Sequence, residues 1–126
     1  MKINSVNQSF GAKFPNTEGT KKLNYIFDRA DLYDQGYCFT NFCNYKTLRK
    51  QINKFLLDND IVYFNNVENI DNPSDVAYKI DGNIIHNGKN KTFETYVYCM
   101  EGSFDVGKRI IKSIKKALGI KNTDIF

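Results

Sequence analysis

Apolar residues recur at helical spacing in three stretches of the chain and alternate in others. Leu23, Ile26, Phe27 and Ala30 stand at i, i+3, i+4 and i+7, the spacing that lays side chains along one helical stripe. They predict a first helix over about 20–33, with Gly36 placed to end it in the left-handed C′ position. Leu48, Ile52, Phe55 and Leu56 predict a second helix from about 44 or 45 to 57. Asn44 is its cap, because a short carboxamide accepts from an N–H of the first turn, and Asp58-Asn59-Asp60 ends it. Val106, Ile110, Ile114 and Leu118 step by four, and Ile111 and Ala117 widen their stripe. They predict an amphipathic last helix over about 104–118, capped by Ser103 or Asp105 and closed by Gly119-Ile120 as a Schellman stop. Residues 36–45 (GYCFTNFCNY) read as a short strand or a packed loop.

The strand signals lie between the second and last helices. Ile61-Val62-Tyr63-Phe64 is β-branched and aromatic throughout and predicts a short strand. Residues 65–74 read as a polar loop containing Pro73. Asp81-Gly82 separates two alternating apolar runs, which is the pattern of a two-residue type I′ hairpin turn. Gly88-Lys89-Asn90 then supplies a three-residue turn. Together these predict a three-stranded meander over about 75–100. Its core face carries Val76, Tyr78, Ile80, Ile85, Phe93 and Val97, and its other face carries Lys79, Ile84, His86, Glu94, Tyr96 and Tyr98. Asn87-Gly88 is a competing type I′ candidate. It would set Ile85 opposite Asn90 and leave Phe93 beyond the first strand of the meander, so the first register is preferred.

Helices outside an antiparallel run make the expected fold class α+β, with two helices before the meander and one after it. Residues 1–18, rich in Asn, Ser, Gly and Pro, read as an extended or flexible arm, and 19–126 as one domain. The length of 126 residues suits a single core. No apolar run is long enough to span a bilayer.

Charge modifies this picture only slightly. Lys plus Arg is 18 against 14 for Asp plus Glu, a net charge of +4. Fifteen of the 18 cations are Lys, and Lys, Asn, Ile, Phe and Tyr, all with codons rich in A and T, fill 62 of 126 positions. An AT-rich genome explains that balance without phosphate contacts, and Arg, favoured for bidentate phosphate and base recognition, is scarce. The three cysteines, Cys38, Cys43 and Cys99, are an odd number with no secretory pattern before them. They point to free thiols in a reducing, cytoplasmic setting.

Two constellations are candidates for chemistry. On the second face of the meander, Lys79, His86, Glu94, Tyr96 and Tyr98 converge, and His86 has the side chain suited to proton transfer near neutrality. On the last helix, Lys108, Arg109, Lys112, Lys115 and Lys116 form a basic row for a phosphate backbone or an acidic protein surface. Cys38, Cys43, His86 and Cys99 do not make a zinc set, because Cys99 and His86 fall on opposite faces of the predicted sheet. No Walker loop, G-x-S-x-G or H-E-x-x-H is present. No metal, cofactor or catalytic residue is expected. The expected function is a non-catalytic binding module for a protein or small ligand, monomeric or homodimeric through a sheet edge. A small accessory or inhibitor protein of a phage or mobile element suits its size and bias. The alternatives are a nucleic-acid binder using the last helix with Tyr96 and Tyr98, and a small enzyme centred on His86.

Overall fold

A computed structural model of the chain describes residues 11–34, 43–71, 76–98 and 101–121. The order is α1 (Glu18–Asp34), α2 (Tyr45–Asn53), β1 (Ile61–Asp71), β2 (Val76–His86), β3 (Lys89–Tyr98) and α3 (Ser103–Leu118). The strands form one antiparallel sheet in the order β1-β2-β3. The fold is α+β, with two helices before the meander and one after it. No helix among the described residues is long and apolar enough to cross a membrane. Residues 1–10 of the expected arm, 36–42, Cys99 and Gln35 lie outside the described residues.

The helices form where the stripes place them, except that α2 ends at Asn53, four residues short of the expected end and before Phe55 and Leu56. Leu23, Ile26, Phe27 and Ala30 of α1 are buried, as are Leu48 and Ile52 of α2 and Val106, Ile110, Ile111 and Ile114 of α3. Asn44 caps α2, its side chain accepting from the Thr47 N–H at 2.8 Å. At the end of α3, Gly119 sits at φ 76°, and Ile120 N–H donates to the Lys115 carbonyl at 2.8 Å. That is the Schellman closure. Two caps differ from expectation. Gly102, not Ser103 or Asp105, stands at the N-cap of α3. The Ser103 hydroxyl is buried and accepts from the Cys43 N–H at 2.9 Å. α1 starts earlier than expected, because Thr17 and Thr20 exchange reciprocal N–H to hydroxyl bonds, the arrangement of a capping box.

The meander is shifted toward the N-terminus relative to the expected one. The turn between β2 and β3 is Asn87-Gly88, with φ 52° and 79°, so His86 pairs with Lys89 and Ile85 with Asn90. Asp81-Gly82 lies inside β2, opposite Glu94 and Phe93. The alternation therefore runs unbroken through β2, and Ile84 is buried in the core where Ile85 was expected. Phe93 pairs with mid-strand Gly82 and lies within reach after all. The glycine serves packing there. A Cβ on Gly82 would stand 1.9 Å from the Tyr63 carbonyl oxygen and 2.7 Å from Phe93 Cζ. Phe64 and Phe93, the cross-strand partners on either side of Gly82, meet edge to face over it at 5.6 Å.

The expected polar loop 65–74 is mostly strand. β1 pairs with β2 from Ile61 to Asp71, with a register shift between Phe64 and Asn66. The extra residue there breaks the period of two, so Val62 and Phe64 face the core, and then Val67 three residues on. At the other end, Lys13 bridges to Ile61, donating to the Asp60 carbonyl and accepting from the Val62 N–H, each at 2.9 Å. α1 packs on β1, α3 on β3, and α2 against both helices. All described helices therefore cover the sheet face that carries Val62, Phe64, Val67, Ile80, Ile84, Phe93 and Val97.

The different roles of the two glycines are testable. Gly88 needs a positive φ but has nothing within 4 Å of a Cβ, so Gly88→Ala costs about 1 kcal/mol. Gly82→Ala meets backbone and ring, and costs about 3 kcal/mol or more. Urea melts of the two variants check the order; the reverse order would return the turn to Asp81-Gly82.

Candidate functional site

Pairing in an antiparallel sheet fixes which residues share a face. The face that the described helices leave uncovered carries Ile61, Tyr63, Asn66, Glu68 and Ile70 from β1. It carries Ala77, Lys79, Asp81, Asn83 and Ile85 from β2, and Asn90, Thr92, Glu94, Tyr96 and Tyr98 from β3. Four of the five expected sheet-face residues are therefore together: Lys79, Glu94, Tyr96 and Tyr98. His86 is not with them. With the turn at Asn87-Gly88 it falls on the same side as Ile84 and Tyr78.

The open face is polar at its centre and aromatic toward one end. Tyr96 and Tyr98 are 43% and 45% exposed. Lys79 Nζ lies 3.6 Å from Glu94 Oε1. Glu94 above all, then Tyr96, Asp81 and Glu68, hold the Lys79 ammonium above the ordinary lysine pKa range, against a small opposing effect of burial. Asp81 and Glu94 are direct cross-strand partners, an arrangement of like charges that does not help the sheet. Asp81 accepts from the Asn66 carboxamide at 3.3 Å. Three asparagines run across all three strands: Asn65 donates to Asn83 at 2.7 Å and Asn83 to Asn90 at 2.8 Å. These groups line a groove of about 490 Å³ bounded by Asn65, Asp81, Asn83, Asn90, Thr92 and Glu94.

His86 is engaged elsewhere. Its Nδ1 is 2.6 Å from Oδ2 of Asp60, a carboxylate only 1% exposed. Asp60 also accepts from the Leu57 N–H at 2.9 Å and the Asn87 N–H at 3.0 Å. Burial alone would raise the Asp60 pKa, but these two backbone bonds, and then the His86 bond and charge, hold it below the usual carboxylate range. An ionised Asp60 is acceptor-only, so Nδ1 carries the proton and Nε2 is the remaining ring nitrogen. A carboxylate holding an imidazole in one tautomer is also found in catalytic sites. Here, among the described residues, no hydroxyl or thiol is hydrogen-bonded to His86. The pair closes the α2–β1 corner onto the β2–β3 turn. Asp60 was legible only as a helix stop. Asp81 and Asn83 were hidden by the turn placed at Asp81-Gly82, and Asn66 and Glu68 by reading 65–74 as a loop.

The basic row of α3 is partly spent within the fold. Lys115 is only 9% exposed, with its Nζ 5.2 Å from the centre of the Phe55 ring. Arg109 is bonded to Glu101 at 2.6 Å and lies over the Tyr98 ring. Lys108 lies 5.4 Å over Phe104. Lys112 and Lys116 are exposed, and Glu101 and Asp105 share the shallow depression beside Lys108, Arg109 and Lys112. Of the cysteines, Cys43 is buried in the core; Cys38 and Cys99 lie outside the described residues.

The Asp60 clamp gives a pH dependence of known sign. Its folded pKa is depressed, so the unfolded chain takes up the proton first as pH falls. The stability it contributes is present above about pH 4 and is lost as pH falls through the lower folded value. Asp60→Asn turns a carboxamide N–H₂ toward backbone donors and costs about 2–3 kcal/mol at neutral pH. Urea melts at stepped pH should show the gap to wild type closing in acid. A gap independent of pH would remove the carboxylate's role.

No protein-family model, no curated protein and no solved structure matches this chain, so the case for its function rests on the geometry of its open sheet face and its Asp60–His86 pair.

Proposed function

We propose that the chain is a non-catalytic binding module whose contact surface is the open face of the sheet. One observation carries this reading. The described helices pack on one side of the meander, α3 reaching the other only at its rim through Arg109 over Tyr98, and on that other side two tyrosines stand nearly half exposed beside a polar groove. Aromatic side chains with an apolar body and a polar tip are what contact surfaces favour. His86 stands on the opposite side of the sheet from Lys79, Glu94, Tyr96 and Tyr98, which takes support from the enzyme reading centred on it. The burial of Lys115 and the pairing of Arg109 argue against α3 as a phosphate-tracking row. Asp81, Glu94 and Glu68 on the sheet face would repel a nucleic-acid backbone. An odd number of cysteines suits a reducing, cytoplasmic setting, and the small size suits an accessory or inhibitor protein.

The test compares positions. A photo-cross-linking residue replaces Tyr96, Tyr25 or Lys112 in turn, with Tyr25 exposed on α1 as the helix-side control. Adducts from position 96 and not from 25 or 112 are expected in cells. Adducts from 25 or 112 alone, or equal yields from all three, would overturn the reading. Tyr96→Ala with Tyr98→Ala should abolish partner contact while changing stability by only about 1 kcal/mol.

A further inference from the structure

We infer that the open face takes a cationic polypeptide segment, an extended run with arginine or lysine at alternate positions. This rests on the reading of that face as the contact surface, and goes beyond it by naming the partner's chemistry. The first support is charge. The paired positions of the open face carry Glu68, Asp81 and Glu94 against Lys79 alone, three negative charges and one positive, or −2. The whole chain is +4. Lys89 and Lys91, the cations of β3, stand on the other side, opposite His86 and Ile84. Arg109 at the rim is matched by Glu101.

The second support is an unmet demand. Asp81 and Glu94 face each other across the strands, and Lys79 is within ion-pair distance of Glu94, acting on Asp81 only at longer range. Among the described residues Asp81 forms no ion pair; its hydrogen bond is to the neutral Asn66. A guanidinium or ammonium entering the groove between the two carboxylates would relieve that opposition. The third support is spacing. Glu94, Tyr96 and Tyr98 follow one another on the same face of β3, about 7 Å apart. Same-side residues of an extended partner have that same spacing, so a cation seated at Glu94 sets the next one over the Tyr96 ring. An anionic partner meets the carboxylates instead, and a wholly apolar one would strip water from them.

The net positive charge of the chain makes the test discriminating, since a polycation is repelled overall and binds only through local complementarity. The isotope-labelled full chain is titrated separately with oligo-arginine, oligo-glutamate and oligo-dT, while amide resonances are followed. Oligo-arginine should shift Lys79, Asp81, Glu94 and Tyr96 saturably. Asp81→Asn with Glu94→Gln takes the face from −2 to 0, and should weaken the affinity by about tenfold or more. That variant removes a like-charge contact together with the surface Lys79–Glu94 pair, two small opposing effects on stability, and a thermal melt checks that it folds. No shift of these residues with oligo-arginine, or equal affinity in the variant, overturns the cationic partner. Shifts of the same face with oligo-glutamate or oligo-dT instead would overturn it while leaving the face as the contact surface. Cross-linking confined to position 25 or 112 would defeat the underlying reading.

Discussion

The extra residue at Asn65 decides which side of β1 is core and which is surface. Up to Phe64 the even positions of β1 face the helices; beyond it Val67 does so and Asn66, Glu68 and Ile70 turn away. Without that shift, Asn66 and Glu68 would enter the core beside Ile80 and Val67 would face out, which no soluble sheet tolerates. The bulge is held from three directions. The Phe64 carbonyl accepts from the Thr17 hydroxyl. The first turn of α1 comes so close that a Cβ on Gly19 would stand 2.1 Å from that same oxygen. The Asn65 carboxamide donates to Asn83 on the open face. The start of α1, the twist of β1 and the upper end of the groove are therefore one structural problem with one solution.

A second point of closure sits at the opposite end of β1. Asp60 satisfies two backbone donors that no strand or helix ladder serves, one at the end of the α2 corner and one in the Asn87-Gly88 turn. Its own carbonyl receives Lys13 from the segment that precedes α1. A buried carboxylate is tolerable only when its lone pairs are filled, and His86 fills the remaining place. The histidine that composition singles out as reactive is thus accounted for by the needs of a buried acid.

The helices were legible because their signals are local. Leu23 to Ala30, Leu48 with Ile52, and Val106 to Ile114 lie on stripes that tertiary packing had no reason to override. Asn44 and Gly119 carry capping chemistry that depends on a few neighbours. The sheet was harder, for two identifiable reasons. Asp81-Gly82 has the composition of a turn, but its glycine is needed where Phe64 and Phe93 meet, a contact between residues far apart in sequence. The Asn65 bulge interrupts the alternation that marks a strand, so a half-exposed strand read as a loop. The first error displaced the register and the second left half of β1 unread, and register is what assigns faces. Lys79, Glu94, Tyr96 and Tyr98 kept their common face because Lys79 precedes the misplaced turn and the three β3 residues share one parity under a shift of the third strand by an even number. His86, between the two turns, changed sides.

The same register sets the charge of the open face apart from the net charge of the chain. A bias toward lysine acts on every exposed position alike, and α3 shows its effect at Lys108, Lys112 and Lys116. The open face does not follow it. Its only lysine is tied to Glu94, and its other charges are acidic. The open face therefore carries a charge opposite in sign to the sum over the chain, and any contact made there meets that local charge. That separation depends on the fold alone. Moving the β2–β3 turn to Asp81-Gly82 would take Asp81 out of its pairing with Glu94. Pairing β1 with β2 straight through Asn65, without the bulge, would turn Glu68 inward. The acidic, tyrosine-edged face exists because a bulge and a two-residue turn place residues from three strands in one row.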